Sequence, residues 1–274
     1  MANKVWFITG ASRGFGRIWA EAALARGDKV AATARDAKSI GDLKERFGDA
    51  ALPISLDVTN PTQVQSAIKQ AHDYFGRLDI VLNNAGYSLV GTIEEASEAE
   101  VRALFDTNVF GNISVIKAVL PILRAQQSGH IIGVTSGLGI EARPLIGLYC
   151  TTKWAVEGLH DSLSQEVAKF GIKVSMIEPG AYATDFASDA SLKRAAPIEV
   201  YDDLRQRVMA GLANQKRGNP QATPEAIFKL VDSDNPPLRL ALGSTVLPVA
   251  RECYAERIAT WEAWEEISNA AQGE

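Results

Sequence analysis

The sequence predicts an α/β domain whose core is a doubly wound, mainly parallel sheet of seven strands with helices on both faces. Short apolar runs alternate along the chain with longer helical patterns, as in successive β-α-β units. Glycine-rich or polar segments follow most of those runs, and sheets of this kind bind ligands at the carboxyl ends of their strands. No repeat, low-complexity segment or linker divides the 274 residues, so a single domain, 1–274, is predicted.

Composition and charge exclude several classes of protein. A net charge of −5, with 46% hydrophobic and 22% charged residues, gives no attraction to nucleic acid. Cys150 and Cys253 form no disulfide framework, which favours a reducing compartment. His72, His130 and His160 lack metal-ligand spacing and are interpreted as surface or edge residues. Because neither a signal peptide nor an apolar run long enough to span a bilayer is found, the prediction is a cytoplasmic protein without metal, nucleic-acid or membrane partners.

The predicted elements follow one another along the chain. Strands are predicted at 5–8, 29–35, 51–56, 80–82, 131–134, 173–177 and 238–242. Helices are predicted at 18–26, 59–75, 99–111, 113–126, 149–159, 224–231 and 249–267. Thr59 or Asn60 caps the second of these helices, and Pro121 suggests a kink or a late break in its own helix. Residues 186–217 are interpreted as a mobile flap over the substrate, and about 248–271 as a helical extension in which Trp261 and Trp264 pack as core or interface residues.

The first strand runs into a glycine-rich segment, Thr-Gly-Ala-Ser-Arg-Gly-Phe-Gly at 9–16, which leads into a helix. Glycine lets the backbone approach a pyrophosphate closely, and the amides at a helix N-terminus bind phosphate. A plain tight turn between strand and helix is the alternative interpretation. The spacing Gly-x-x-x-Gly-x-Gly differs from the Gly-x-Gly-x-x-Gly dinucleotide fingerprint.

The end of the second strand bears on the choice between two nicotinamide cofactors. An acidic residue there would accept hydrogen bonds from an adenosine ribose and exclude a 2′-phosphate. The expected position holds Ala34, followed by Arg35, and Arg13 supplies a second guanidinium. Both guanidiniums can clamp a 2′-phosphate, so the sequence favours NADP(H). Asp36 argues the other way, because a shift of one or two residues would place it on the ribose and make NAD(H) the cofactor.

A tyrosine and a lysine lie four residues apart at Tyr149 and Lys153, and Ser136 lies thirteen residues before the tyrosine. In a helix, this spacing places an ammonium one turn from a phenol on the same face. A free tyrosine has a pKa of about 10, and a nearby positive charge favours phenolate. A lone pair of this kind is more often packing plus a solvated charge, so it indicates catalysis only together with the rest of the chain.

Residues 4–185 as a whole resemble the ordinary branch of the short-chain dehydrogenase/reductase family. The matching segments are Thr-Gly-x-x-x-Gly-x-Gly at 9–16, Asp57, Asn-Asn-Ala-Gly at 83–86, Ser136, Tyr-x-x-x-Lys at 149–153 and Pro-Gly-x-x-x-Thr at 179–184. The resemblance implies a Rossmann-type fold and an NAD(P)-dependent enzyme that transfers hydride between a nicotinamide and a carbonyl or secondary alcohol. The extended branch would carry Thr-Gly-x-x-Gly-x-x-Gly instead.

The resemblance also implies site residues. Tyr149 would donate a proton to the substrate oxygen, Lys153 would lower the tyrosine pKa and bind the nicotinamide ribose, and Ser136 would hydrogen-bond the substrate oxygen. Asn108, which could otherwise only back-bond and bend its helix, falls where the family places a fourth catalytic residue that holds a water. The implied cofactor-binding residues are Gly10, Ser12, Arg13, Gly14, Phe15, Gly16, Arg35, Asp57, Val58, Asn84, Ala85, Gly86, Tyr149, Lys153, Pro179, Gly180, Tyr182 and Thr184.

The substrate is less well specified by the sequence. Leu138, Leu145, Tyr182 and Phe186 flank the expected pocket and favour an apolar or aromatic ketone or aldehyde. The Thr-Asp-Phe that ends at Phe186 and the C-terminal extension resemble, more loosely, the retinol and 17β-hydroxysteroid dehydrogenase-like group. The alternatives are an NAD-linked secondary alcohol dehydrogenase and, in another class, a non-catalytic NADPH-sensing protein. The helices that hold Asn108 and Lys153 form dimer faces in many relatives, which leaves both a homodimer and a homotetramer open.

Overall fold

The computed structural model describes residues 3–188, 191–213 and 216–273. Its central sheet contains β1 Val5–Ile8, β2 Lys29–Ala34, β3 Ala51–Ser55, β4 Ile80–Asn83, β6 Gly129–Val134, β7 Ile172–Pro179 and β9 Arg239–Leu242. Two short strands, β5 Ser88–Val90 and β8 Leu192–Arg194, form a separate parallel pair that the sequence analysis does not predict. The central strands lie in the order β3-β2-β1-β4-β6-β7-β9, and each pairing between them is parallel. The predicted doubly wound fold is confirmed.

Helices cover both faces of this sheet. They are α1 Gly14–Ala25, α2 Gly41–Phe47, α3 Pro61–Phe75, α4 Glu98–Phe105, α5 Gly111–Gln126, α6 Gly147–Val167, α7 Asp202–Ala213, α8 Pro224–Asp232, α9 Val246–Ala263 and α10 Glu265–Gln272. Of the two candidate caps of α3, Asn60 takes the role, because its side chain accepts hydrogen bonds from the backbone of Thr62 and Gln63 at 3.1 Å.

Alternate residues of β1 enter two separate cores. Trp6 and Ile8 belong to a cluster that includes Trp19 of α1, whereas Phe7 belongs to a cluster on the opposite face. None of these side chains is more than 1% exposed. Burying a side chain of this size contributes about 1.5–3 kcal/mol. Burial on both faces therefore explains why the strand is apolar throughout.

The strand order reverses beside β1, and this reversal determines where a ligand can bind. β1 pairs with β2 on one side and with β4 on the other. The connections that leave these strands pass to opposite faces of the sheet, and a crevice opens between them. The segments after β1, β4, β6 and β7 carry the predicted motifs to this edge of the sheet.

The long helical region around Asn108 consists of α4, a π-helical turn Asp106–Phe110, and α5. α5 continues through Pro121, so the late break considered for this region does not occur. Contrary to the expectation that no run could span a bilayer, the 29-residue segment Glu98–Gln126 contains an 18-residue window with a mean hydropathy of 1.2. Because 44% of its apolar window is buried, and because core helices pass the same test, this is only a weak indication of a membrane span.

Several side chains lie elsewhere than predicted. His130 and His160, predicted at the surface or an edge, are 3% and 0% exposed. Trp261 and Trp264, for which a place in the core was considered, are 65% and 61% exposed, so neither contributes to the core of this chain. Within the described ranges, no group of three His, Cys, Asp or Glu residues could hold a metal ion. The mobility of the flap at 186–217 stays a prediction, and residues 189, 190, 214 and 215 of that segment lie outside the described part of the chain.

Candidate active site

The predicted site segments meet in one cleft at the carboxyl ends of the strands. The cleft has a volume of about 1370 Å³ and is lined by the segments that follow β1, β2, β4, β6 and β7. All the predicted cofactor, substrate and catalytic residues line it except Gly16 and Asn108, which lie behind its wall. Motifs separated by as many as 170 residues in the sequence thus share one surface in the fold, as the strand-end argument predicts.

The turn between β1 and α1 requires glycine. Gly10 and Gly14 have φ angles of +69° and +56°, in the left-handed region that side chains disfavour. A Cβ on Gly10 would lie 3.0 Å from the Cα of Ala85, and a Cβ on Gly16 would overlap the carbonyl oxygen of Gly10. The turn therefore exposes bare backbone to the cleft while α1 packs closely behind it.

Thr9 and Asn84 hold this turn in place. The Thr9 hydroxyl accepts hydrogen bonds from the backbone of Asn84 and Ala85 at 2.9 and 3.0 Å. The Asn84 amide donates to the carbonyl oxygens of Thr9 and Gly10 at 2.9 and 3.0 Å. The sequence analysis quotes Thr9 only as part of the glycine-rich motif, because its bonding partners lie 75 residues away.

The N-terminus of α1 presents backbone amides to the cleft. The helix begins at Gly14, and the preceding Arg13 has an extended backbone and makes no side-chain capping bond. No acidic residue lies in the first turn. The first amides of a helix lack intrahelical partners and carry a partial positive charge, so an anion such as a phosphate is favoured at this position.

Arginine, and not aspartate, faces the cleft at the end of β2. Arg35 and Arg13 both line the cleft, and Arg13 Nε donates to the hydroxyl of Ser191 at 3.1 Å. The Asp36 carboxylate lies outside the cleft lining. It accepts a hydrogen bond from the backbone of Lys38 at 3.0 Å and caps a short 3₁₀ helix.

Asp57 and Val58 form the wall of the cleft after β3. The Asp57 carboxylate accepts hydrogen bonds from the backbone nitrogen and the hydroxyl of Thr59 at 3.0 and 2.8 Å. Val58 packs so closely on the first turn of α5 that a Cβ on Gly111 would lie 2.8 Å from its Cγ2. This wall combines a closely packed apolar surface with one oriented acceptor.

Tyr149 and Lys153 lie one turn apart on α6, and both line the cleft. They are 5% and 6% exposed. Lys153 Nζ donates to the backbone oxygen of Val134 at 2.8 Å and lies 5.5 Å from the centre of the Tyr149 ring. Ser136 follows β6, and its hydroxyl lies close enough to the Tyr149 phenol to lower the pKa of that phenol. The three side chains therefore form one group.

Burial controls the protonation of the phenol and the ammonium. It raises the pKa of Tyr149 above its ordinary value, and the Ser136 hydroxyl offsets part of that rise. It lowers the pKa of Lys153 to about 8, against the opposing effect of Glu157. The family resemblance implies that Lys153 lowers the tyrosine pKa. In this structure the desolvation of the phenol dominates instead, so Tyr149 is protonated at neutral pH.

Asn108 connects two walls of the cleft from behind. Its amide donates to the backbone oxygen of Tyr87 at 2.9 Å and to the Thr152 hydroxyl at 3.1 Å, and its oxygen accepts from the Tyr87 backbone at 3.1 Å. Both amide hydrogens are therefore engaged with protein atoms. The π-helical turn that contains Asn108 aims its side chain at α6, and turns of this type are frequent at functional sites.

The substrate side of the cleft is mainly apolar. The predicted wall residues Leu138, Leu145, Tyr182 and Phe186 all line it. The ring of Phe186 lies 5.8 Å from that of Tyr149. Leu145 has a φ of +64°, which is uncommon for a residue with a side chain, and its carbonyl oxygen accepts a hydrogen bond from Gly91 at 2.7 Å.

α7 and α9 contribute wall residues that the sequence does not single out individually, although 186–217, which contains α7, is predicted to lie over the substrate. These are Arg205, Val208, Met209, Leu212, Val246 and Val249. Arg205 forms an ion pair with Glu95 at 2.5 Å, which ties α7 to the segment after β5. Glu141 and Arg143 also line the cleft and form an ion pair with each other at 2.8 Å. No sequence motif identifies these residues. They belong to the site only because the fold brings them close to Tyr149.

Comparison with known proteins identifies the family. The chain matches the short chain dehydrogenase family over residues 4–195. It is a member of the short-chain dehydrogenase/reductase family. Oxidoreductase BOA17 of Botryotinia fuckeliana (strain B05.10) is 40% identical over 98% of this chain and 99% of the relative. The crystal structure of a short-chain dehydrogenase from Streptomyces avermitilis superposes with a TM-score of 0.90 at 36% identity, covering 98% of each chain.

Two further relatives have names that state an activity. The 3-ketodihydrosphingosine reductase of Bacteroides thetaiotaomicron is 35% identical over 90% of each chain. Retinol dehydrogenase 8 of Bos taurus is 31% identical over 81% of this chain and 74% of the relative. This short-chain dehydrogenase/reductase is accordingly an NAD(P)-dependent oxidoreductase that acts on CH–OH groups.

Solved relatives carry both kinds of nicotinamide cofactor. ElxO with NADP bound is 27% identical, with a TM-score of 0.74, covering 90% of this chain and 100% of that chain. A 3-ketoacyl-(acyl-carrier-protein) reductase from Brucella melitensis, complexed with NADH, is 25% identical with a TM-score of 0.70. The match covers 83% of this chain and 90% of that chain. A nicotinamide cofactor is therefore common to these neighbours, whereas the 2′-phosphate is not.

Proposed function

We propose that this protein reduces an apolar or aromatic ketone or aldehyde with NADPH. The observation that supports this proposal is a buried, protonated phenol, Tyr149, beside Ser136 and one helical turn from Lys153, in the same cleft as the glycine-rich turn. A phenol that stays protonated at neutral pH is ready to donate a proton to a carbonyl oxygen. The same groups would serve alcohol oxidation in the reverse direction.

The turn after β1 fits a dinucleotide. Gly10 and Gly14 leave the backbone uncovered, and α1 directs its first amides at the same surface. We propose that the pyrophosphate lies there and that the remaining cofactor contacts come from the predicted residues that line the cleft, from Ser12 to Thr184. When bound, the nicotinamide supplies the hydride.

Each side chain near the phenol has a distinct task. Tyr149 donates its proton to the carbonyl oxygen, and Ser136 hydrogen-bonds that oxygen and so orients the substrate. Lys153 binds the ribose hydroxyls and stabilises the phenolate that remains after proton transfer. Asn108 positions the Tyr87 backbone and α6. A water near Asn108 that links Lys153 to solvent would need a binding partner other than the two amide hydrogens of Asn108, because both already donate to protein atoms.

The preference for NADPH rests on the end of β2. Arg35 faces the cleft and Asp36 is engaged in a helix cap, so a 2′-phosphate would meet a guanidinium there. Arg13 adds a second guanidinium to the same cleft. The alternative, an NAD-linked secondary alcohol dehydrogenase, requires Asp36 to release the Lys38 backbone and turn toward the ribose.

The apolar wall supports the proposed substrate class. Leu138, Leu145 and Phe186 surround the approach to Tyr149, and α7 adds Val208 and Met209. A hydrophobic pocket with few polar groups selects the reacting carbonyl by its position beside Tyr149 and Ser136. The names of two relatives, a reductase of a 3-keto compound and a retinol dehydrogenase, agree with such substrates. We infer that residues 186–217 form the flap over this pocket and that residues 248–271 extend the domain.

The test of this proposal is a titration of the purified protein with NADPH and NADH, followed through energy transfer from tryptophan. Tighter binding of NADPH is expected. Arg35→Ala should weaken NADPH binding roughly tenfold to a hundredfold and NADH binding much less, since a hydrogen bond to a charged group contributes about 1.5–3 kcal/mol. Lys38→Ala is the matched control, because Lys38 is exposed nearby but lies outside the cleft lining.

The outcomes of the titration separate the alternatives. An equal loss of affinity for NADPH and for NADH in Arg35→Ala would contradict the NADPH assignment. A preference of the wild-type protein for NADH would favour the alcohol dehydrogenase. NADPH binding without turnover of any apolar ketone would favour the sensing protein. A homodimer or homotetramer and a cytoplasmic location stay predictions, to be measured by sedimentation and by fractionation of the source cells.

A further inference from the structure

A buried cluster of charged side chains lies behind Lys153, and the proposed reaction gives it no task. Glu157 of α6 and Glu178 of β7 are 8% and 3% exposed. Arg239 of β9 lies between them, with its Nε 3.2 Å from Glu157 Oε2 and 3.8 Å from Glu178 Oε1. The Nη2 of Arg239 also donates to Asp161 at 2.8 Å. Three elements of the fold thus meet in this cluster.

The cluster contacts the catalytic segments. Glu157 lies one helical turn beyond Lys153 on α6. Both side chains pack against Gly139, where a Cβ would lie 3.4 Å from Glu157 Oε1 and 3.6 Å from Lys153 Cβ. Glu178 comes just before residues 179–184, the segment proposed to hold the nicotinamide. A change of charge in the cluster would therefore act directly on the site.

The charges of the cluster do not balance. One guanidinium faces three carboxylates, and the Oε1 atoms of Glu157 and Glu178 have no hydrogen-bond partner within the described part of the chain. Burial raises the pKa of both glutamates, and the Glu157 charge adds to the rise at Glu178, whose pKa reaches about 7. Buried carboxylates that interact titrate together, so the pair holds one proton near neutral pH. Arg239 is nearer to Glu157, which therefore keeps the negative charge while Glu178 carries the proton.

We propose that Glu157 is a positioning residue whose carboxylate keeps the Lys153 ammonium charged, and that Glu178 holds the proton that leaves Glu157 ionised. An ammonium loses stability when it is buried without a counter-charge, and the bonded neighbour of Lys153, the Val134 carbonyl, is neutral. Glu157 lies one turn beyond Lys153 on α6 and is not part of the cleft lining, so the cleft side of the ammonium stays open. The proposal rests on the proposed function, because the charge of Lys153 has its effect through the cofactor ribose.

Few groups can titrate in this cluster over the range of the test. The titratable and charged groups that face it are Lys153, His160 and Asp161 from α6, Glu178 from β7 and Arg239 from β9, with the Thr135 hydroxyl after β6. Burial lowers the pKa of His160 to about 4, so this residue is neutral. Arg239 and Asp161 remain an ion pair. Tyr149, whose ring centre lies 5.5 Å from Lys153 Nζ, has its pKa raised by burial and stays protonated. Above pH 7, the groups that change charge are therefore Lys153 and the glutamate pair.

The test is the affinity for NADPH measured from about pH 7 to pH 10, above the titration of the 2′-phosphate, whose pKa is about 6. In the wild-type protein, affinity should fall as Lys153 loses its charge, with a midpoint near its pKa of about 8. Glu157→Gln should move this midpoint down by about one pH unit, since a nearby opposite charge shifts a pKa by about 1–3 units. Glu157→Asp should restore most of the shift. Glu166→Gln removes an exposed carboxylate of the same helix and should leave the midpoint unchanged.

Glu178→Gln distinguishes this role from a purely structural one. Without a partner that competes for ionisation, Glu157 stays charged, so the midpoint should hold or rise. A midpoint that falls in Glu178→Gln overturns the proposal, even if Glu157→Gln does not fold. Equal midpoints in the wild-type protein and a folded Glu157→Gln variant also overturn it, and they leave the proposed function intact. Failure of the wild-type protein to bind either coenzyme at any pH removes both.

Discussion

Residues 4–185 and the residues beyond 186 differ in how their aromatic side chains are used. Trp6 and Trp19 in the first region are 0% and 1% exposed and anchor a core. Trp261 and Trp264 in the second region are 65% and 61% exposed. In α9 only Val246 is buried, and in α10 no described residue is. The first region is packed on both faces of the sheet. In the second region, α8 and β9 join that packing, whereas α9 and α10 are largely exposed.

The two regions accordingly have different roles: the first carries the residues proposed for the chemistry, and the second supplies much of the wall proposed to recognise the substrate. Tyr149 and Lys153 lie on α6, a helix that packs on the sheet along much of its length. Met209, a wall residue of α7, is 56% exposed. One contact that holds α7 is the Arg205–Glu95 ion pair. Substitutions in α7 can therefore reshape the pocket without moving the phenol. The following predictions test this division, from the largest expected effect to the smallest.

Tyr149→Phe should have the largest effect. It removes the proposed proton donor from the rigid region while keeping the ring that contacts Phe186. Turnover should fall about 10²–10⁴-fold, the usual contribution of a general acid. NADPH affinity should change less than threefold or so, because the phenolic oxygen contributes little to cofactor binding. Steady-state rates and a binding titration measure the two effects separately.

Tyr74→Phe serves as the matched control, since Tyr74 lies on α3 away from the cleft and is 44% exposed. Full activity in Tyr149→Phe would show that the proton comes from another group. A parallel loss of turnover and of NADPH binding would instead show that the substitution disturbs the whole first region.

The first region could be predicted well because its signals are local. Each strand is an apolar run that is buried on both faces, and each motif follows its strand directly, as the glycine turn at 9–16 follows β1. Side-chain alternation and strand-end geometry then bring distant motifs together. The burial of His130 was missed because it depends on Ser175, 45 residues away in the sequence.

The second region gives weaker signals for a physical reason. β8 is a three-residue strand paired with another three-residue strand, β5, and neither is long enough to show a period. Trp261 and Trp264 suggested a packed face, but the helix pattern cannot specify whether anything covers that face. α7 lines the pocket through its position above the cleft, and no residue of its sequence indicates this.

Trp6→Ala and Trp261→Ala compare the two regions directly. Loss of the buried Trp6 should lower the free energy of unfolding by about 3–5 kcal/mol, because a large cavity opens in the core. Loss of the exposed Trp261 should change it by less than about 0.5 kcal/mol in a monomeric chain. Urea unfolding at low protein concentration measures both values. A large, concentration-dependent loss in Trp261→Ala would show that another chain covers this residue.

Acid sensitivity should likewise belong to the first region, since all three histidines, His72, His130 and His160, precede residue 186. The Ser175 hydroxyl donates to the Pro237 carbonyl at 2.7 Å, so His130 Nε2 must carry the hydrogen that it shares with Ser175. His130 Nδ1 is buried and has no hydrogen-bond partner among the residues that the structure describes. Protonating it would bury an unpaired charge, and burial accordingly lowers the pKa of His130 to about 3 and that of His160 to about 4.

The sign of the pH dependence follows from these lowered pKa values. Between the ordinary value of 6.5 and the folded values of about 3 and 4, the unfolded chain binds protons that the folded chain does not. Stability is therefore complete above pH 6.5 and falls as the pH drops, by about 1.4 kcal/mol per pH unit for each histidine. Urea unfolding between about pH 7 and pH 5, where few carboxylates titrate, measures this slope. His130→Gln should remove about half of the slope of stability against pH, and the control His72→Gln should remove almost none. Equal slopes in the wild-type protein and both variants would mean that the buried histidines accept protons without unfolding.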